Sequence, residues 1–134
     1  MAGFVEAYRK AGYTLENRMN SWSAVKADDS AVALTVWKDE LRGKDGQLYL
    51  ELRGHPLLSD WQPRQGNLRR IRHVQHGLDK CGGIFDIILC EAVDLKASPR
   101  KVRDAWLWKG MKGRIDAETF DPNDGTYLLT FFRA

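Results

Sequence analysis

Cysteine is scarce in this 134-residue chain: Cys81 and Cys90 are too few for a disulfide framework. Cys90 closes the apolar run that starts at Ile84, where a small buried thiol fits, so both are expected to be reduced. Long apolar stretches are missing too. The longest, Ala31 to Trp37, falls far short of a membrane span, and the opening residues Met1 to Glu6 carry no basic leader ahead of an apolar segment. Gly3 is one position too late for myristoylation, and Arg133-Ala134 is not a prenylation signal. These absences predict a cytoplasmic protein with no membrane partner. Also absent are a Gly-x-Ser-x-Gly elbow, a phosphate-binding Gly-x4-Gly-Lys loop, a dinucleotide-binding glycine fingerprint and a His-Glu-x2-His pair. No cofactor is implied, and the common enzyme signatures are excluded. What is present, 43% apolar and 29% charged residues without repeats or linkers, predicts one packed domain over 1–134, with 1–17 a leading helix or arm.

The net charge of +3 is unevenly spread. Arg53 to Lys80 holds six basic and two acidic residues, and Leu95 to Arg114 holds seven basic and one acidic, so the remainder of the chain is net negative. Local potential rather than total charge attracts a polyanion, and this segregation suits a phosphate-facing surface. The alternative is a set of solvated faces.

Phe4, Tyr8 and Ala11 have helical spacing and Gly12 supplies a stop. Ser21 to Lys26 and Ala31 to Leu41 flank the turn Asp28-Asp29-Ser30 as a hairpin, and Lys44-Asp45-Gly46 leads into an alternating stretch from Leu48 to Arg53 that extends the sheet by a third strand. Gly54 to Gly66 is a long loop carrying His55, Asp60, Trp61 and Arg64, a site candidate because long ordered loops tend to carry function. Asn67 caps a helix running to Lys80. Its apolar stripe is Leu68, Ile71, Val74 and Leu78, and Arg69, Arg72, His73, His76 and Lys80 gather opposite. Gly82-Gly83 ends that helix and Ile84 to Val93 reads as a central strand interrupted by Asp86 and Glu91. Ser98-Pro99 predicts a short basic helix to about Ala105, and Met111 to Phe120 with Thr126 to Arg133 predicts a closing hairpin. The sum is an α+β fold: a curled mixed sheet or pseudo-barrel of about six strands, with two or three helices at its rim.

Three constellations could carry chemistry. His73, His76, Cys81 and Cys90 invite a zinc reading, but no Cys-x2-Cys knuckle accompanies them. Asp86, Glu91 and Lys96, with Asp94, are the residue types of a metal-dependent nuclease, although such sites draw on two adjacent strands rather than one. The aromatic placement is the most directed: Asn20-Ser21-Trp22-Ser23 and Trp37 with Asp39 combine stacking walls with hydrogen-bonding groups, which a flipped base needs. The alternative is core packing, which is the favoured reading for Trp37, alternating with Val36, and stays open for Trp22 among its polar neighbours.

These residues carry a family resemblance. Asn20-Ser21-Trp22-Ser23, the strand Leu34 to Trp37 followed by Asp39, Asn67 opening a basic helix, the strand ending Cys90-Glu91-Ala92, and Ala97-Ser98-Pro99-Arg100-Lys101 resemble, over about 18–120, small PUA-like domains. These include the EVE and SRA-like readers associated with HNH-type nucleases in bacterial modification-dependent restriction. The resemblance implies a curled pseudo-barrel holding a modified base in an aromatic pocket. The chain has no Cys-rich HNH segment, so a separate nuclease or effector protein would act as partner. The expected function is a non-catalytic nucleic-acid reader, DNA preferred over RNA. Its base pocket would be Asn20, Ser21, Trp22, Ser23, Trp37 and Asp39, and its phosphate contacts Arg69, Arg72, His73, Lys80, Arg100, Lys101 and Arg103. The alternatives are the small metal-dependent enzyme and a protein-interaction module using Trp61, Trp106 and Trp108.

Overall fold

The computed structural model describes residues 3–16, 22–97 and 100–134. In chain order the elements are α1 (Phe4–Lys10), β1 (Ser23–Val25), β2 (Val32–Trp37), β3 (Arg42–Lys44), β4 (Gln47–Glu51), α2 (Leu58–Trp61), α3 (Gln65–Lys80), β5 (Ile84–Ala92), β6 (Val102–Ile115) and β7 (Leu128–Arg133). The strands form one sheet in the order β1-β2-β5-β6-β7-β4-β3, antiparallel except for the β2–β5 pair. It is an α+β fold whose described sheet stays open, with β1 and β3 as its edges.

Alternation along the strands gives the sheet two apolar faces. Val32, Leu34 and Val36 of β2 share a cluster with Phe85, Ile87 and Leu89 of β5, Leu129 and Phe131 of β7 and Leu50 of β4. β2 and β4 are second and sixth in the sheet, so one cluster can hold both only if the sheet curls around it. Val74 of α3 plugs this concave core. The intervening positions Ala33, Ile88, Cys90 and Ala105 form the convex face, covered by Ala7 and Tyr8 of α1 and by Tyr13. Tyr8 is fully buried there, and its hydroxyl meets Thr35 Oγ1 at 2.6 Å.

Three local readings are corrected. The strand after the Asp45-Gly46 turn does not extend the β1–β2 hairpin: β3 and β4 pair with each other, and β4 pairs with β7 at the far side of the sheet. Turn residues specify a hairpin, not the distant edge on which it docks. The basic segment expected to be helical up to Ala105 is strand from Val102, because Ala92, Glu91 and Cys90 of β5 pair with Val102, Asp104 and Ala105. The ladder overrides the helix-start signal of Ser98-Pro99, which itself lies outside the described residues.

The third concerns α3, which is rotated relative to the expected stripe. Its buried positions are Gly66, Asn67, Arg70, His73, Val74 and Gly77, and Leu68 is 49% exposed. Aromatic rings from outside the helix pack onto its glycines. A Cβ on Gly66 would lie 2.5 Å from atoms of the Trp22 ring, and one on Gly77 would overlap the Phe85 ring. The helix presents holes rather than knobs at those two turns, so its hydrophobic side chains do not mark its buried face.

Candidate functional site

The rotation of α3 carries Arg70 into the protein. Its guanidinium carbon lies 4.9 Å from the Trp22 ring centre, 5.2 Å from Trp61 and 5.6 Å from Tyr127, a cage of three aromatic faces around one cation. The Trp22 and Trp61 rings meet edge-on at 6.4 Å. Each wall has its own anchor. Trp22 rests on Gly66, Tyr127 lies in the concave core, and Trp61 is carried by α2 and donates from Nε1 to His55 Nδ1 at 3.3 Å. The same His55 nitrogen accepts from the Leu57 amide at 3.0 Å, so its proton sits on Nε2, which donates to Glu40 at 3.2 Å. The floor is Asn67, whose Nδ2 donates to the carbonyls of Gln62 and Asp124 while Oδ1 accepts from Arg70 Nη2 at 3.1 Å.

One donor in the cage is unmet. Among the described residues Arg70 Nε is the buried side-chain atom with no hydrogen-bond partner. An unpaired buried polar group costs about 1–3 kcal/mol, more on a charged side chain, and the three rings offset this only through cation–π attraction. Such a group calls for a partner, which an ordered water or a ligand can supply.

Beside the cage runs a second polar chain. Ser23 Oγ is 2.7 Å from His73 Nδ1, and His73 Nε2 is 3.2 Å from Glu16 Oε1. These are the residue types of a hydrolytic triad in an inverted arrangement: Ser23 is 1% exposed, whereas the Glu16 side chain is 49% exposed. The hydroxyl that would attack is sealed beneath α3 and the carboxylate that would orient the base faces solvent. A neutral imidazole satisfies both partners, accepting from Ser23 and donating to Glu16. Burial holds the His73 pKa below its ordinary value against the opposing pull of Glu16. Burial also works to raise the Glu16 pKa but is outweighed, chiefly by the bond from His73 and then by Arg72, so Glu16 stays lowered.

The expected site residues are dispersed. Asn20 and Ser21 lie outside the described residues. Trp22 walls the cage and Ser23 serves His73. Trp37 belongs to the other face, edge-on to Phe4 of α1 at 6.2 Å, with the Arg100 guanidinium 5.3 Å above it. Asp39 takes both arms of Arg100 at 2.8 Å. Trp22 and Trp37 therefore do not share a pocket: Trp22, just before β1, and Trp37, the last residue of β2, are taken by different faces of the curled sheet.

Of the phosphate candidates, His73 points inward and both its nitrogens are engaged, so it is not on the basic face. Arg69 is clamped to Glu16 at 2.9 Å, and Arg100 is committed to Asp39. Arg72 is exposed but leans on Glu16 at 3.3 Å, while Lys80, Lys101 and Arg103 are exposed with no ion pair among the described residues. Arg70 belonged to neither face in the sequence reading. The signal for it was its spacing from the two helix glycines: Gly66, Arg70, Val74 and Gly77 recur at intervals of three or four residues.

The other constellations do not assemble. Asp86 and Glu91 are an odd number of residues apart on β5 and so point to opposite faces. Asp86 is bonded by Tyr13 at 2.6 Å and Lys112 at 3.0 Å, and Glu91 pairs with Lys38 at 3.5 Å. Among the described residues no group of three His, Cys, Asp or Glu side chains is placed to hold a metal ion, and no described helix is long and apolar enough to cross a membrane. Cys90 is buried, which pushes its thiol pKa up. A scan against protein-family models finds no match, and searches of curated proteins and of solved structures return no similar chain.

Proposed function

We propose that this domain is a non-catalytic nucleic-acid-binding module that reads a modified or flipped base, in DNA rather than RNA. The observation that carries this reading is the unpaired Arg70 Nε inside the cage of Trp22, Trp61 and Tyr127. Base recognition needs stacking surface and a few fixed donors or acceptors. Arg70 supplies the donor, which a base edge carrying an acceptor would relieve, and the half-buried rings of Trp22 and Trp61 supply surface on the sides the guanidinium leaves uncovered. Arg72 and Lys80 on the solvent side of α3, with Lys101 and Arg103 near the start of β6, supply exposed cations for phosphates. The curled mixed sheet is in keeping with the resemblance to PUA-like readers, which is what adds DNA and a separate nuclease or effector partner to the proposal.

The test is binding to labelled duplexes, unmodified and carrying methylated, hydroxymethylated or phosphorothioate positions, at two salt concentrations, without and then with magnesium. Salt-dependent binding that prefers one modified duplex, without cleavage, is expected. Arg70→Lys keeps the charge but loses the planar fork and Nε, and should abolish the preference while leaving overall affinity nearly intact. Arg72→Gln with Lys80→Gln should weaken binding to every duplex alike and flatten the salt dependence by about 0.9 per lost phosphate contact. Absence of binding to any duplex, or magnesium-dependent cleavage, would overturn the reading.

A further inference from the structure

The longest strand is broken in its middle. Along β5, Asp86 faces Lys112 and Ile88 faces Leu107, so two steps on β5 correspond to five on β6 and the segment Trp108 to Met111 stands out of the β5–β6 ladder, while Met111 still pairs with Arg133 of β7. Gly110 has φ +77, a conformation other residues adopt only at a cost, so the excursion is written into the sequence. The Ala134 amide donates to the Gly110 carbonyl at 3.0 Å and ties the bulge to the end of β7. A small depression of about 210 Å³ beside it is lined by Asp86, Lys112 and Ala134, among others. A larger one of about 700 Å³ extends over Leu48, Phe131, Phe132 and Arg133. Trp108, Lys109, Gly110 and Met111 line both.

This surface combines an aromatic platform with unbalanced positive charge. The Trp108 ring is fixed at a tilt 5.3 Å from Phe131, and Phe132 lies beneath the Arg114 guanidinium at 5.2 Å. Among the described residues Asp86 is the one acidic side chain lining either depression, and Lys112 and Tyr13 already satisfy it. Lys109 and Arg133 are exposed with no ion pair among the described residues. A half-buried, fixed indole that lines the same depression as two exposed cations is the chemistry that holds single strands, in which unpaired bases stack and phosphates are neutralised.

We propose that the Trp108–Met111 bulge binds a single-stranded nucleic-acid segment, with an unpaired base stacked on Trp108 and its flanking phosphates held by Lys109 and Arg133. The proposal rests on the nucleic-acid reading above but concerns a different surface, remote in sequence from the Arg70 cage.

The probe is a short fluorescein-labelled oligothymidine strand, followed by anisotropy at several salt concentrations with the full chain. Lys109→Gln with Arg133→Gln, both exposed, should weaken binding roughly five- to tenfold and flatten the log–log salt slope by about 1.4, at about 0.7 per phosphate on a single strand. Trp108→Ala should cost tenfold or more and Trp108→Phe much less, with thermal melts confirming that each variant is folded. If the double variant binds the strand as the wild type does while the duplex panel still shows a preference, this surface is not the contact and the reader survives. If the wild type binds neither strand nor duplex, both proposals fall. If a polyglutamate peptide occupies the surface and the strand does not, the partner is an acidic protein segment and the proposal is overturned.

Discussion

Replacing Gly66 by alanine tests the central packing of the site, because two effects of opposite sign meet at one carbon. Within a helix, alanine is favoured over glycine by roughly 0.5–1 kcal/mol, and on a free helix surface that gain would be realised. Here the added Cβ falls 2.5 Å from Cδ2, Cε2 and Nε1 of Trp22, a ring already confined by Arg70 and Trp61. Overpacking costs about 1–3 kcal/mol, and displacing the ring forfeits part of a cation–π contact of about 0.5–2 kcal/mol. The steric term wins. Gly66→Ala should be destabilised by about 1–3 kcal/mol, a fall of about 4–12 °C in Tm for a domain of this size. Denaturant unfolding with Gln65→Ala as the exposed neighbour isolates the effect, since the control should change by less than about 0.5 kcal/mol. If Gly66→Ala is instead more stable by the propensity increment, Trp22 does not rest on α3 and the cage loses a wall.

Two further outcomes follow from the same helix. Because burial holds the folded-state His73 pKa below its ordinary value, the unfolded chain takes up this proton first as pH falls through about 6.5. Stability from this group is therefore flat above that pH and declines below it until the folded-state value is reached. Tm against pH should fall less steeply in His73→Asn than in the wild type, and an imidazole midpoint at or above 6.5 by NMR would refute the buried, neutral assignment. The rotated stripe predicts that Leu68→Lys changes stability by less than about 0.5 kcal/mol while Val74→Ala costs about 2 kcal/mol. Comparable losses in chemical denaturation would restore Leu68 to the core.

Local chemistry was legible wherever a residue's immediate neighbours decide its conformation. Gly12 after α1, the Asp28-Asp29-Ser30 and Asp45-Gly46 turns, the Gly82-Gly83 stop, the alternation in β2 and the apolar run of β5 all read directly, and together they gave the curled mixed sheet with helices at its rim. The site was legible only in its ingredients. Trp22, and His55 and Trp61 in the long segment before α3, stood out, whereas Arg70 did not, because the buried face of α3 is marked by glycines that receive rings from elsewhere.

The sequence by itself determined most of the elements, their turns and the segregation of charge, since propensity, capping and alternation act over a few residues. Only the tertiary structure decided that β4 lies beside β7 rather than the first hairpin, that 102–105 is strand, and which face α3 buries. It also separated Trp22 from Trp37 and set a guanidinium among Trp22, Trp61 and Tyr127. Each of these depends on which distant surfaces fill one another's spaces, and close packing is a property of the assembled chain rather than of any segment of it.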